Sequence, residues 1–447
     1  MSFDPDTIDS FRYEGFELDA SSATLTCRYG FGNWHFAEHI SFDLGDDWSQ
    51  PAVARAARLV YLLAGVSYYK AASPPVIDFG DESLTSSERR LLHEFFVDGL
   101  GEYAYRNGLD LSSVELRAGS SPAQPVRTIA EAARPLVPFG GGLDSIVTTE
   151  LVRARHRDTA LFVVSRAGDR FDAIEDAAAA TGLPVVRAGR ELDPQILRSN
   201  ALGFRNGHVP VTGILSAIAV MAATLNGHDA VVMSNEWSAS LGNVDVDGRL
   251  VNHQYSKSYA FETAFRAVLA DNFGGGPDYF SLLRPLSELR IAQIFREMRN
   301  YHRVFRSCNR AFHIDRAQRL DQWCGVCDKC CFVDLILAPF LEASELDAIF
   351  GGHEPLQNAA LSQQFRTLIG LTGDLKPFEC VGDPDECQAA VILAAERPDR
   401  AATALLHDLA RELAPQRDHI NAHIPQLLRP MGAHFIPDDY ATVAVVD

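Results

Sequence analysis

The chain is poor in positive charge and has no long uninterrupted apolar segment. Lysine and arginine together number 40 against 59 aspartates and glutamates, so the formal net charge is −19. This acidity argues against binding of nucleic acid. The acidic residues 1–6 lack the apolar core of an export signal. The longest apolar run, residues 209–225, contains Thr212, Gly213 and Ser216, so we expect a buried helix, no membrane insertion and a cytoplasmic protein.

The glycine-rich segment at residues 137–145, VPFGGGLDS, lacks the lysine of a Walker loop and the spacing of a dinucleotide-binding loop. Gly140, Gly141 and Gly142 separate an apolar run from the predicted first turns of a helix. Glycine N–H groups can close around a phosphate, and the helix N-terminus adds partial positive charge. Asp144 and Ser145 follow directly, which is more than a turn for close packing requires. We predict an anion-binding loop, with a simple packing turn as the alternative.

The length of 447 residues allows about three domains. Residues 1–125 predict an α+β domain, in which a capping box at residues 85–88 opens a helix to about Asn107 and a linker follows at residues 118–126. Residues 126–305 alternate β-rich runs with helices, among them one predicted at residues 172–181, which predicts an α/β fold with a doubly wound parallel sheet. Residues 306–447 predict a mainly helical region. Ligands of such sheets gather at the carboxyl ends of the strands, where Ser165 and Glu236 lie.

Four cysteines have the spacing of a metal site. Cys308 is followed after a loop by Cys324, Cys327 and Cys330 in a C-x-x-C-x-x-C pattern. Four thiolates at this spacing can surround one tetrahedral Zn²⁺. Cys331 is a possible substitute ligand, and a redox pair or buried free thiols are the alternatives. A four-thiolate site has no open coordination position, so we assign it to folding.

Three further features are candidates for function. Residues 252–259, NHQYSKSY, are polar, aromatic and cationic at once, which favours a binding role over a solvated loop. Arg290 opens the helix predicted at residues 291–298 and is a candidate cation there, with a simple surface residue as the alternative. Cys380 lies among prolines and glycines in a predicted loop, where an inert semi-buried cysteine is the common alternative.

The glycine loop resembles the SGGxDS loop of the N-type ATP pyrophosphatases, the PP-loop proteins. Gly141, Gly142, Asp144 and Ser145 match, whereas Gly140 stands in the place of the first serine. The resemblance implies a HUP-like sheet that binds ATP and releases pyrophosphate on adenylate formation. Within this group, the cysteine pattern is similar to the zinc knot of the 7-cyano-7-deazaguanine synthases.

A second resemblance covers most of the chain. It is similar to the UDP-N-acetylmuramoyl-L-alanyl-L-glutamate epimerases of bacterial peptidoglycan synthesis, on six segments: residues 63–71, 207–212, 234–236, 252–258, 323–327 and 377–382. This resemblance implies an isomerase that inverts the terminal L-Glu of a nucleotide-linked dipeptide to D-Glu, with ATP consumed and AMP and pyrophosphate released. The implied intermediate is an acyl-adenylate, which removes the carboxylate charge and lets the α-carbanion delocalise.

The resemblance and the residue chemistry together give the candidate site. Cys380, His253, Lys257 and Glu236 are the catalytic candidates, with His208 beside them; we favour Cys380 or His253 as a base and Lys257 as the charge-neutralising group. The glycine loop, Ser165 and Arg290 are the candidate nucleotide ligands, with Mg²⁺ expected near Asp144 or Glu236. The remaining candidates, for the uridine diphosphate, are Lys70, Arg166 and Arg205.

Two other functions remain open. An ATP-dependent ligase or amidating enzyme of the 7-cyano-7-deazaguanine synthase type would share the glycine loop and the zinc knot, but its small substrate does not explain the large N-terminal and C-terminal additions. A regulatory nucleotide-binding module without turnover does not explain Asp144, Ser145 and the polar segment at residues 252–259.

Overall fold

The computed structural model describes residues 3–43, 48–128, 130–166, 168–246, 248–313, 315–372, 378–379, 381–442 and 445. The strands are β1 (Ser10–Asp19), β2 (Thr24–Phe31), β3 (Trp34–Phe42), β4 (Val76–Leu84), β5 (Glu115–Ser120), β6 (Glu131–Pro138), β7 (Ala160–Ser165), β8 (Val185–Glu191), β9 (His228–Met233), β10 (Val244–Val246), β11 (Arg249–Val251) and β12 (Asp278–Ser281).

The helices lie between and after these strands. They are α1 (Pro51–Ala64), α2 (Val66–Tyr69), α3 (Ser86–Val97), α4 (Gly101–Asn107), α5 (Leu143–Arg153), α6 (Asp172–Thr181), α7 (Pro194–Leu197), α8 (Ser199–Leu202), α9 (Val211–Asn226), α10 (Tyr259–Asn272), α11 (Glu288–Phe295), α12 (Asp328–Leu337), α13 (Ala343–Ile349), α14 (Ser362–Leu368), α15 (Pro384–Ala395), α16 (Ala404–Glu412) and α17 (Arg417–Leu427). Among the described residues, no helix combines the length and apolarity needed to cross a membrane.

Ten of the described strands form one sheet in the order β12-β9-β6-β7-β8-β3-β2-β1-β4-β5. The neighbours from β12 to β8 are parallel, and so are β1, β4 and β5. The neighbours from β8 through β3 and β2 to β1 are antiparallel. The predicted α/β class, with a large and mostly parallel sheet, is therefore confirmed.

The sheet is apolar on both faces because alternate residues of its central strands enter two different cores. One core contains Leu136, Phe162 and Val231 together with helices α1 and α9, and the other contains Val137, Leu161 and Val232 together with helices α5, α11 and α12. Strands buried on both faces are typical of parallel sheets covered by helices on each side. Both cores therefore pack against the same central strands, one core on each face.

The N-terminal strands extend the same sheet. Strand β3 pairs with β8 between His39 and Phe42 on one strand and between Ala188 and Glu191 on the other. The linker expected at residues 118–126 begins later than predicted, because residues 118–120 belong to β5. The domain boundary near residue 125 remains a prediction.

Helices α3 and α4 determine the position of Glu102. The predicted capping box is present: the Thr85 side chain accepts from the N–H of Glu88, and the Glu88 carboxylate accepts from the N–H of Thr85. The single helix predicted from here to Asn107 is two helices, with the break at residues 98–100. Because Gly99 and Gly101 are weak helix formers, the chain turns there and α4 starts in a new direction with Glu102 in its first turn.

Candidate functional site

The glycine loop lies where the order of the parallel strands reverses. The chain passes from β6 to β7 and β8 on one side, then crosses to β9 and β12 on the other. In open α/β sheets, ligands bind outside the carboxyl ends of the strands at this switch point. The loop follows β6 directly, so it lies at this position.

The glycines of the loop have different roles. Gly141 has a φ of +74°, and a Cβ there would lie 2.3 Å from the carbonyl oxygen of Ala173. Gly142 is the N-cap of α5, and its carbonyl accepts a 2.9 Å hydrogen bond from the Ser145 hydroxyl. Gly140 is exposed, and nothing lies within 4 Å of a Cβ built on it. The backbone thus requires glycine at position 141, whereas a side chain at position 140 would have free space around its Cβ.

Three carboxylates converge next to this loop. Ligand oxygens of Asp144, Glu236 and Glu288 all lie within 4.8 Å of one another. Asp144 is in the first turn of α5, Glu236 follows β9, and Glu288 is the first residue of α11. Burial, followed by the charges of Asp144 and Glu236, raises the pKa of Glu288 well above its usual range. Such a concentration of buried negative charge suits a divalent cation.

A buried arginine holds the strand ends of the site together. Arg284 pairs with Glu262 at 3.0 Å, and both side chains are about 2% exposed. The same guanidinium donates to the carbonyl of Glu236 at 2.8 Å and to the carbonyl of Lys257 at 2.6 Å. Arg284 therefore fixes the Glu236 segment beside the Lys257 segment. We predicted both segments from the sequence, but not the residue that joins them.

Buried polar atoms without a hydrogen-bond partner in the described part of the chain include Oγ of Ser234, directly after β9, and Nε of Arg290 in the first turn of α11. Burial also lowers the pKa of Arg290. Ser165 is the last residue of β7 and is half-buried at the same sheet edge. These positions are consistent with polar contacts to a bound ligand.

A second polar cluster contains Glu102, His208 and His253, whose ligand atoms also lie within 4.8 Å of one another. Nδ1 of His253 lies 2.5 Å from Oε2 of Glu102, and the two imidazole rings are 4.2 Å apart. Burial lowers the pKa of Lys70 to about 8, and Nζ donates to Oδ1 of Asn206 at 2.7 Å. The cluster joins α4 to the segment before α9 and the segment after β11.

The remaining predicted residues have varied positions. Lys257 donates to Oε1 of Gln254 at 3.1 Å within the polar segment. Arg166 is exposed after β7. Arg205 pairs with Asp6 at 2.5 Å and donates to the carbonyl of Ala72. Arg205 thus has a structural contact of its own.

Cys380 lies outside the described residues. Of its neighbours, Phe378 lies beside the cluster of His253, and Gly382 lies beside the carboxylate cluster. The ring of Phe378 lies 6.4 Å from that of His253 and 4.9 Å from the guanidinium of Arg106. A Cβ on Gly382 would lie 3.4 Å from Cγ of Glu288. Because four peptide units separate Phe378 from Gly382, their Cα atoms are at most about 15 Å apart. Phe378 and Gly382, four positions apart, therefore lie beside different clusters.

The four predicted cysteines do come together. Sγ of Cys330 lies 3.6 Å from that of Cys324 and 3.5 Å from that of Cys327, and Sγ of Cys308 accepts from the N–H of Cys324 at 3.4 Å. All four ligand atoms lie within 4.8 Å of one another. Cys331 instead belongs to the apolar core. The arrangement could hold one tetrahedral ion.

Sequence reasoning missed Glu102, Arg284, Glu288 and Lys329. Lys329 lies between two of the cysteines, its Nζ is 5.0 Å from the ring of Phe332, and its charge acts on Glu288. The chain has four lysines, at positions 70, 257, 329 and 376. The first three lie at or beside the two clusters, so the scarcity of lysine was the signal that could have identified Lys329. Glu102 and Glu288 had no comparable signal.

The fold and this site define a class: a doubly wound α/β protein with a glycine loop and a carboxylate cluster at the topological switch point. Two family descriptions match the chain, the MurL N-terminal domain over residues 2–282 and the MurL C-terminal domain over residues 304–423. The chain belongs to the MurL family, the UDP-N-acetyl-alpha-D-muramoyl-L-alanyl-L-glutamate epimerases.

Three curated relatives carry that epimerase name. The protein from Xanthomonas oryzae pv. oryzae is 38% identical over 98% of this chain and 97% of its own. The protein from Micromonospora sp. is 37% identical over 97% of each chain, and the one from Salinispora tropica is 38% identical over 97% of this chain and 95% of its own. No solved structure gives a significant match. The predicted family and the predicted isomerase class are confirmed.

Proposed function

We propose that this protein converts the terminal L-Glu of UDP-MurNAc-L-Ala-L-Glu to D-Glu in peptidoglycan precursor synthesis, with ATP as the co-substrate and AMP and pyrophosphate as products. The relatives named for this substrate match nearly the whole length of the chain. The observation that carries the ATP requirement is the glycine loop with Asp144 beside Glu236 and Glu288 at the switch point. An epimerase that needs no activated substrate has no use for such a site.

The need for activation follows from the chemistry of the substrate. Removal of the α-proton beside a free carboxylate builds a dianion. In the proposed reaction, a carboxylate oxygen attacks the α-phosphorus of ATP, the bond to the β-phosphate breaks, and pyrophosphate leaves. The resulting acyl-adenylate has lost the carboxylate charge, so the α-carbanion delocalises into the carbonyl as an enolate. After reprotonation, water adds to the acyl carbon and AMP leaves.

The glycine loop and its surroundings are the proposed nucleotide site. N–H groups of residues 140–142 and the N-terminus of α5 would hold phosphate oxygens. Ser165 and Arg290 are the other proposed nucleotide contacts. Asp144, Glu236 and Glu288 would hold Mg²⁺, which neutralises phosphate charge when bound. The buried, mutually repelling carboxylates support this assignment.

The remaining groups have proposed roles in proton transfer, charge neutralisation, zinc binding and binding of the uridine diphosphate. Cys380 or His253 is the proposed base, and Lys257 would neutralise negative charge that develops on phosphate or enolate. The cysteine cluster would hold a structural Zn²⁺ through Cys308, Cys324, Cys327 and Cys330. Lys70 is the better supported of the cations proposed for the uridine diphosphate, because Arg205 already pairs with Asp6.

The test is incubation of the purified protein with the muramoyl dipeptide and ATP in deuterium oxide. Mass spectrometry should find one deuterium at the glutamate α-carbon, and chromatography should find AMP and pyrophosphate. Asp144→Asn should abolish both, whereas Asp158→Asn, an exposed aspartate after the same helix, should leave both unchanged. Release of ADP, or formation of an amide when ammonia is added, would contradict the proposal.

A further inference from the structure

The cluster of Glu102, His208 and His253 combines residues from three distant parts of the chain. Glu102 belongs to α4, His208 precedes α9, and His253 follows β11. Their side chains are 7%, 23% and 13% exposed. Buried carboxylates and imidazoles rarely converge in this way without a structural or chemical role, because each must find a partner.

The contacts within the cluster fix the orientation of His253. Oε2 of Glu102 lies 2.5 Å from Nδ1 of His253, and the backbone N–H of His253 donates to Oδ1 of Asn243 at 2.9 Å. Glu102 is itself held by Arg106, whose Nε lies 2.6 Å from its other oxygen. A carboxylate on Nδ1 selects the tautomer with Nε2 as acceptor, and it stabilises the imidazolium once Nε2 has taken a proton.

The groups that face His253 support this role. Burial of Glu102 opposes its ionisation, but its hydrogen bond with His253 and the charge of His253 outweigh that effect and lower its pKa. Burial, and then the charge of His253, lower the pKa of His208 to about 4. His208 is therefore neutral at physiological pH and does not compete for a proton.

A metal ion fits this cluster less well than proton transfer does. The ammonium of Lys70 is close enough to act on His208, and the guanidinium of Arg106 already binds Glu102. Two fixed cations beside a single carboxylate disfavour a further cation. The carboxylate-rich cluster at Asp144 is the better cation site.

We propose that His253 is the general base that removes the α-proton of the activated glutamyl group, and that Glu102 is the positioning residue that orients its imidazole. This assignment rests on the proposed function. The Cα–H bond breaks, its electron pair delocalises into the carbonyl, and the proton bonds to Nε2 of His253. A solvent-derived proton then adds to the opposite face, and the imidazolium returns its proton to water.

The experiment separates adenylation from proton transfer. Exchange of labelled pyrophosphate into ATP, in the presence of the muramoyl dipeptide, measures adenylation alone. Incorporation of deuterium at the α-carbon measures proton transfer. His253→Gln should retain pyrophosphate exchange within about 2-fold of wild type and lose deuterium incorporation by about 100-fold or more, which is the usual contribution of a general base. His93→Gln, an exposed histidine on α3, is the matched control and should change neither.

The role of Glu102 has its own readout. The acidic limb of kcat/KM for deuterium incorporation should move to lower pH in Glu102→Gln, because the imidazolium loses its carboxylate. Glu102→Asp should restore the limb toward the wild-type pH. A purely structural role of Glu102 would lower the rate at every pH and leave the limb in place, and that result would overturn the positioning role.

Other outcomes are equally decisive. Deuterium incorporation by folded His253→Gln within about 3-fold of wild type would overturn the assignment of the base and leave the proposed function intact. Loss of pyrophosphate exchange together with deuterium incorporation in that variant would place His253 in nucleotide binding and also overturn it. Absence of both activities in the wild type would overturn the proposed function itself.

Discussion

At the scale of single residues, the two clusters of the site differ in how their charges are balanced. Asp144, Glu236 and Glu288 form a group of like charges, and Lys329 is the nearby cation that acts on it. In the other cluster, Glu102 is balanced by Arg106 and by His253. The first arrangement favours an added cation, and the second favours a proton that moves between existing partners.

Glu288→Gln tests the first arrangement through the pH dependence of stability. Because the pKa of Glu288 is raised in the folded state, its contribution to stability is complete below its usual value of 4.5 and is lost as the pH rises through the raised value. Without divalent cation, the wild type should therefore lose stability relative to Glu288→Gln as the pH rises above 4.5. Urea unfolding in EDTA at several pH values measures the difference.

The addition of Mg²⁺ provides the control for this prediction. Millimolar Mg²⁺ should raise the unfolding midpoint of the wild type at pH 8 more than that of Glu288→Gln, because a bound ligand stabilises the folded state. Glu297→Gln, an exposed carboxylate just beyond the same helix, should behave like the wild type. Parallel pH curves for the wild type and Glu288→Gln would contradict the prediction.

The glycine loop offers a matched pair of substitutions. Gly141→Ala should lower the free energy of unfolding by about 2–4 kcal/mol, because alanine disfavours the left-handed backbone and its Cβ would contact the carbonyl oxygen of Ala173. Gly140→Ala, which meets no such contact, should stay within about 0.5 kcal/mol of the wild type. Denaturant unfolding measures both. Equal losses in the two variants would show that the backbone at position 141 is not the limiting feature.

At the scale of elements, local signals predicted helices and strands well where the sequence has a capping residue or a helix breaker at both ends. The sequence placed α6 at residues 172–181, and the structure has it there because Gly182 ends it in a left-handed conformation. Helix α11 begins at Glu288, three residues earlier than predicted, because the Ser287 side chain caps it. That shift brings Glu288 into the site.

The cysteine cluster links a local motif to the start of α12. Cys330→Ser should lose bound zinc, measured by elemental analysis, and should lower the thermal midpoint, because the first turn of α12 is anchored by the cluster and the rest of that helix is buried. Cys331→Ala should keep the zinc and cost about 1–2 kcal/mol, the usual effect of truncating a small buried side chain. Wild-type protein that is folded and contains no zinc would refute the assignment.

At the scale of the whole molecule, the sequence predicted what short segments determine and missed what the sheet brings together. The glycine loop and the cysteine pattern each lie within or close to one segment, so their spacing was informative. Glu102 meets His253 across 151 positions of the chain. No periodicity or spacing encodes that contact, because it depends on the pairing of β3 with β8 and on the packing of α1 against α9. The contribution of the N-terminal region to this cluster could therefore be recognised only from the fold.

A division of the chain at residue 125 tests how far the two halves depend on each other. Residues 126–447 alone should be insoluble or lack cooperative unfolding, because loss of β3 exposes the edge of β8 and leaves Arg190 without Glu38, its buried partner at 2.7 Å. The same cut removes Lys70 and Glu102 from the second cluster. Co-expression of residues 1–125 with residues 126–447 should restore solubility and deuterium incorporation, as measured by size-exclusion chromatography and mass spectrometry. A monomeric, cooperatively unfolding 126–447 fragment would instead mean that the second half is stable by itself, and that the shared sheet serves mainly to carry Glu102 to His253.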